Sequence, residues 1–343
     1  MRERLIDGGF SYFRSKSRKY LEDSAFLWCS SRQDAPSGAS GAREDTLDSD
    51  PEVGEAAPPV IERNPKYIEE ILRRWRPILR YVFRVESHGI ELLAPASYVF
   101  VSNHNIGAAI EIMALLNLWQ SSFEHLAIYG LAHPFVFKLP RYREYFYKIG
   151  GIPATYEAAY QALSSAASII VFPGGNWEVL RPFHQRHRCD LGQHKGWARI
   201  ALKTNLKVVP ISISGSHSVN PVLVRSRWLC SILVIPRLVG LKYFPVTLSQ
   251  LVWAALAYVA VGWLLPVWVA GCAAFAAFVA TPLYPVWPAR IRIRFGTPID
   301  LAALTSGIRN EEAALQKCYD RVSEEIQMGM NELRQKPAKT RRM

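Results

Sequence analysis

A chain of 343 residues is long enough for one large core or two smaller ones. Half of it is hydrophobic and its formal net charge is +12. Eight acids and one arginine in residues 34–62 leave +19 for the remainder. That balance suits an anionic surface. Ten tryptophans, and no aromatic–glycine motif of an RNA-binding sheet, point to a membrane rather than nucleic acid.

Residues 1–30 mix basic and aromatic side chains and lack the apolar core of a signal peptide. Residues 31–62 are rich in Ser, Gly, Ala, Pro and acids, so too little apolar surface exists there to offset ordering. A helix is expected from Asn64-Pro65, an N-cap followed by proline at the first helical position. Its apolar stripe runs from Tyr67 through Ile68, Ile71, Leu72 and Trp75 to Phe83. The other face holds Arg73, Arg74, Arg76, Arg80 and Arg84. Such a helix is either a core helix with a solvated basic face or one lying in a bilayer interface. The crowded arginines favour the interface.

Tyr98 to Leu116 reads as an apolar strand, a polar turn and an apolar helix. His104 sits in the turn, and Glu111 follows on the first turns of the helix. Buried carboxylates are rarely left unpaired, and His104 is the natural partner. A carboxylate on one imidazole nitrogen fixes the tautomer and frees the other nitrogen as a base. Further on, strands are expected over His125–Tyr129, Ser168–Phe172, Val208–Ile213 and Ile291–Phe295. Helices are expected over Tyr156–Ser165, capped by Thr155, over Lys195–Lys203 and over Asn310–Arg334.

Strand Ser168–Phe172 runs into Pro173-Gly174-Gly175, then Glu178 and Arg181. Consecutive glycines let a backbone approach a ligand and aim N–H groups at an oxygen. The planar fork of Arg181 suits a phosphate or carbonyl. The alternative is a plain strand-to-helix turn with a local Glu178–Arg181 ion pair. His184, His187, Cys189 and His194 fit no zinc spacing, and no metal is expected. No Gly-x-Ser-x-Gly elbow, Walker loop or dinucleotide fingerprint occurs. The five cysteines are odd in number and scattered, as in reduced thiols facing a cytoplasm.

Taken together, His104 with Glu111, Phe172-Pro173-Gly174-Gly175 with Glu178, and Val208-Val209-Pro210-Ile211 resemble the lysophospholipid acyltransferase superfamily. The branch is most similar to the monoacylglycerol and type 2 diacylglycerol acyltransferases and their bacterial relatives. Most members carry Asp where this chain has Glu111. The resemblance is good over about residues 65–215. It implies an α/β fold, a mixed β-sheet flanked by helices. It also implies a glycerolipid acceptor, an acyl-CoA or acyl-carrier-protein donor as co-substrate, and no cofactor. Gly150 to Ala154 falls where the family's second motif lies, which would line the acceptor pocket. His104 and Glu111 would be catalytic; Phe172, Pro173, Gly174, Gly175, Glu178 and Arg181 would bind substrate. The competing class is a non-catalytic lipid-binding or membrane-remodelling protein on the same fold.

From Tyr243 to Ala289 there are 47 residues without a charged side chain. Leu248–Leu265 and Val267–Tyr284 are 18 residues each, divided by Pro266. A span needs about 20 residues, within about 17–25, so an inserted membrane hairpin is expected. It would cross the bilayer or dip into one leaflet. Basic residues on both outer flanks place both on the cytoplasmic side, at an inner membrane if the source is bacterial. The expected organisation is therefore residues 63–242 as the acyltransferase core, 243–289 as hairpin, 290–336 completing the core, and a basic tail over 337–343.

Overall fold

The computed structural model describes residues 63–343 apart from 139, 234–241, 283, 285–286, 336–340 and 343. The basic–aromatic segment and the acidic linker expected over 1–62 lie outside the described residues, as does most of the tail. In chain order come α1 (Pro65–Pro77), β1 (Glu86–His88), β2 (Val99–Ser102), α2 (Ala108–Ser122), β3 (Ile128–Ala132), α3 (Pro140–Ile149), β4 (Gly151–Pro153), α4 (Tyr156–Ser164), β5 (Ser168–Val171) and α5 (Gly175–Val179). Then follow α6 (Gly196–Thr204), β6 (Val208–Ser214), β7 (Val222–Ser226), α7 (Arg227–Ile232), β8 (Phe244–Thr247), α8 (Leu248–Gly262), α9 (Val267–Ala280), β9 (Arg292–Phe295), α10 (Leu301–Leu304), α11 (Glu311–Gln335) and β10 (Arg341–Arg342).

Eight strands form one sheet in the order β10-β1-β9-β6-β2-β5-β3-β4. The run β6-β2-β5-β3-β4 is parallel throughout, while β9 is antiparallel to β6. Side chains alternate across each strand. Phe100, Val209, Ile211 and Ile213 therefore join Ile68, Leu72, Met113 and Trp119 on one face. Val99, Val101, Ile169 and Val208 join Trp197, Ile200, Val322 and Ile326 on the other. Helices cover both faces, as a parallel sheet of apolar strands requires.

Three expectations need correction. The helix at Asn64 does not offer its apolar stripe to a bilayer. Ile68, Leu72 and Leu79 are fully buried in the core, and Tyr67 meets Tyr145 edge-on. Two of its arginines are neutralised locally, Arg74 by Glu70 and Arg76 by Glu69, which relieves the crowding that favoured the interface. The third strand starts later than expected, at Ile128, because the Leu126 carbonyl is taken by the Trp119 indole N–H at 2.7 Å. Gly151–Pro153 is a strand hydrogen-bonded to β3, with Ile152 turned into the core, so the region expected to line an acceptor pocket is the edge of the sheet.

The uncharged segment also differs from its expectation. Phe244–Thr247 is a strand, paired antiparallel with β7. The hairpin proper is α8 and α9, 15 and 14 residues long. At about 1.5 Å per residue each spans ~22 Å, against a hydrocarbon core of ~30 Å. No helix among the described residues is long and apolar enough to cross a membrane. The hairpin nonetheless presents large apolar side chains at its tip, with Trp263 and Leu264 each 84% exposed and Trp268 72%. Its base is firmly seated. Thr247 and Gln250 form a capping box, Gln250 donates to the Phe278 carbonyl, and Asn220 binds Ser249 N–H and the Pro282 carbonyl.

The turn after β6 depends on one glycine. Gly215 has φ +94°, and a Cβ there would collide with the Arg290 carbonyl oxygen. Strain of that kind costs of order 1–3 kcal/mol even before the clash. Gly215→Ala should therefore lower the unfolding free energy from urea titration by at least that amount, with a lower midpoint. A midpoint within error of the parent would show that the turn relaxes freely.

Candidate active site

β2, β5 and β6 are neighbours and parallel, so their C-terminal ends open on the same side of the sheet. That is where ligands bind in open α/β sheets. β2 ends at Ser102 and hands the chain to Asn103, His104 and Asn105. The side chain of Asn103 fixes this exit. Its amide donates to the Ile213 carbonyl at 2.9 Å and its oxygen accepts from Ile213 N–H at 2.7 Å.

His104 Nδ1 lies 2.8 Å from Glu111 Oε2, and Glu111 is fully buried. The extra methylene of Glu over Asp is thus accommodated by a direct contact. Asn105 supports the same carboxylate: its backbone N–H approaches Glu111 Oε2 at 3.4 Å and its amide donates to Oε1. The Asn105 amide also reaches Ser216 Oγ, and its oxygen accepts from Gly107 N–H at 2.8 Å, shaping the turn into α2. With Nδ1 facing the carboxylate, Nε2 is the nitrogen left for chemistry.

The Phe-Pro-Gly-Gly turn serves the histidine from the other side. The Phe172 ring lies against the imidazole, with centroids 4.4 Å apart. Glu178, expected at the substrate, instead points inward and is fully buried. Its Oε2 accepts His104 N–H at 3.0 Å, and its Oε1 accepts Arg181 Nη2 at 2.6 Å and Asp190 N–H at 3.4 Å. Gly174 is glycine for that reason. A Cβ would overlap the Glu178 side chain and sit 2.7 Å from the Asp190 carbonyl. The room it makes is for Glu178 rather than for a ligand. The Gly175 N–H donates to the Phe172 carbonyl at 3.3 Å. Pro173 is buried beside them. Of the side chains expected to bind substrate, Arg181 keeps an unused polar group: among the described residues its buried Nη1 has no partner.

Trp177 marks the outer edge of this turn. Its indole N–H binds Asp190 at 2.7 Å, and the Arg225 guanidinium stacks 3.3 Å from its ring centroid. His184, His187, Cys189 and His194 belong to the loop beyond, and no cluster of metal-capable side chains occurs among the described residues. Burial raises the Cys189 thiol well above its ordinary pKa, so it stays protonated. The residues not anticipated from sequence are Asn103, Asn105, Ser216 and His217. Asn-His-Asn after a buried strand was the available signal for the first two. Nothing local marked the others.

Burial pushes the Glu178 carboxyl up to about 7, against the opposing pull of Arg181 and the His104 N–H. A folded-state pKa above the unfolded value means stability that is full at acid pH and is lost as pH rises through about 7. Arg181→Ala removes the largest opposing pull and raises that pKa further. The variant should lose ~3–5 kcal/mol, as removal of one partner of a buried pair does. The loss should be larger at pH 8 than at pH 5.5. Urea titrations at the two pH values check this; a loss independent of pH would mean that Glu178 does not titrate in this range.

Comparison with known proteins now adds to the geometry. The chain matches the family described as diacylglycerol acyltransferase over residues 69–227. It is 29% identical over 272 residues to an uncharacterized protein of Mycobacterium tuberculosis, covering 75% of this chain and 65% of that one. It is 32% identical over 180 residues to an uncharacterized protein of Mycobacterium leprae, covering 50% and 47%. Phytyl ester synthase 2, chloroplastic, of Arabidopsis thaliana is 25% identical over 104 residues, 28% of this chain and 15% of that one. The chain thus spans about two-thirds or less of the curated relatives it matches, 65% in the M. tuberculosis case. The crystal structure of the 1-acyl-sn-glycerophosphate acyltransferase of Thermotoga maritima aligns with TM-score 0.44 at 19% identity, over 80% of this chain and 83% of that chain. The region similar to the diacylglycerol acyltransferase family, residues 69–227, is the one that holds His104, Glu111, Glu178 and Arg181.

Proposed function

We propose that the chain is an O-acyltransferase that moves a fatty acyl group from an acyl thioester, acyl-CoA or acyl-carrier protein, to a hydroxyl of a glycerolipid or lysophospholipid. The observation that carries this reading is His104 Nδ1 held at 2.8 Å by the buried Glu111, at the end of a central parallel strand. His104 Nε2 takes the acceptor hydroxyl's proton as the oxygen attacks the thioester carbonyl. The tetrahedral intermediate collapses, the carbon–sulfur bond breaks, and the imidazolium returns the proton to the departing thiolate. Glu111 holds the ring and stabilises its charged form. The phytyl ester synthase relative makes, by its name, an ester, which is consistent with an oxygen acceptor here.

The enzyme works at a membrane, with its hairpin dipped into one leaflet. Helices of 15 and 14 residues with an exposed tip of Trp263, Leu264 and Trp268 suit that depth. Arg225 and Arg227 flank the hairpin on the side of the site, where anionic lipid of the cytoplasmic leaflet would meet them. The hairpin's base is bonded to Val219, Asn220 and Pro221, three residues beyond the turn that carries Ser216.

Release of free thiol from acyl-CoA on addition of diacylglycerol or a lysophospholipid, with the acylated lipid identified by mass spectrometry, tests the reading. His104→Ala should lower the rate ~10²–10⁴-fold without moving the melting temperature. Full turnover by that variant sinks the mechanism, and lipid binding without thiol release favours a non-catalytic lipid-binding protein. For the hairpin, Leu264→Asp with Trp268→Asp should shift the protein from the pellet to the supernatant in flotation with anionic vesicles. Unchanged flotation would contradict a dipping hairpin.

A further inference from the structure

Acyl transfer needs a hydrogen-bond donor for the carbonyl oxygen as it gains charge. In the glycine turn after β5, the Gly175 N–H binds the Phe172 carbonyl, and Glu178 fills the side of Gly174 where a Cβ would point. The third loop at this end of the sheet, after β6, offers another donor. His217 is 5% exposed, and among the described residues its Nε2 has no hydrogen-bond partner. A buried polar nitrogen left unmatched costs free energy, so its retention at a ligand-binding edge asks for a reason. The backbone around it is locked to the catalytic loop. Gly215 turns the chain with φ +94°, and the neighbouring Ser216 Oγ is bonded to Asn105, which also holds Glu111.

We infer that His217 is the donor that holds the acyl carbonyl oxygen during transfer, its Nε2–H working beside Arg181 Nη1, the other buried and unpartnered group of the site. The inference rests on the acyltransferase reading above. Burial, and after it the neighbouring Arg181 guanidinium, pushes the His217 pKa down to about 3. The imidazole is therefore neutral in any working condition. It carries one N–H to donate and does not compete with His104 for the acceptor's proton.

Steady-state kinetics of His217→Gln, His217→Asn and His217→Phe with acyl-CoA and lipid acceptor test it. The Phe variant should lose ~10²–10³-fold in kcat, the usual effect of removing one oxyanion donor, with both KM values near the parent's. Gln sets its amide nitrogen close to the Nε2 position and should recover most of the loss. Asn sets its amide near Nδ1 and should not. A folded Phe variant with full kcat, a rise in KM alone, or equal recovery by Gln and Asn would overturn the assignment. If His104→Ala also turns over normally, the acyltransferase reading itself has failed; normal turnover in His217→Phe with an inactive His104→Ala removes only His217. A second measurement survives misfolding of the variants. A ketone analogue of acyl-CoA, with CH2 in place of sulfur, should show a lowered carbonyl stretching frequency when bound to the parent protein. An unshifted stretch would overturn the inference.

Discussion

The arrangement at the end of the sheet depends on one buried carboxylate. Glu178 is fully buried, and its oxygens accept from His104 N–H, Arg181 and Asp190 N–H. Burying such a group is costly unless every lone pair finds a donor. That constraint orders the loop after β5. Gly174 must lack a side chain, Arg181 must fold back within one helical turn, and Asp190 must return to the same place from the following loop. His104 is consequently held from two directions. Glu111 fixes the ring through Nδ1, and Glu178 fixes the backbone. Two carboxylates, on the helices that follow neighbouring strands β2 and β5, thus do different work: one orients the imidazole, and the other anchors the backbone that carries it.

A second set of contacts joins this site to the apolar hairpin. Val219, Asn220 and Pro221 bond to Trp287, Ser249, Pro282 and Leu248 at the hairpin's base. The same loop, a few residues earlier, bonds through Ser216 to Asn105. The small β7–β8 ribbon adds an apolar contact. Val222 is buried with Ile106, from the His104 turn, and with Leu180, which precedes Arg181. The hairpin is therefore rooted directly in the loops that shape the site, with no flexible tether between them. Rigid elements position the reacting groups, while the exposed tip meets its surroundings some helical turns away.

Much of this was legible locally. The spacing of Asn64-Pro65, of the Val99–Val101 strand and of His104 to Glu111 follows from helical and strand periods, and the structure places those residues accordingly. The misreadings have a common cause. Periodicity says that a helix has an apolar face but not what covers it, so the stripe of α1 was assigned to lipid when α2 and the sheet bury it. Composition merged Phe244–Thr247 into the hairpin, because an uncharged strand and an uncharged helix look alike. Paired glycines announce a close approach, yet the approaching group proved to be Glu178, four residues on from Gly174.

By itself, then, the sequence determined which residues can do chemistry and which local elements carry them: a histidine after a buried strand, an acid within reach on the next helix, a glycine turn, and an uncharged hairpin. These are short-range matters of propensity and period. Tertiary structure alone decided that Asn103 meets Ile213 and that Asn105 meets Ser216, each pair separated by about 110 residues. It also decided that Glu178 turns toward His104 and that His217, in the loop after β6, is buried. Parallel pairing of β2 with β5 and β6 brings their C-terminal loops together, and that pairing is set by burial on both faces of the sheet, which no single stretch of the chain contains.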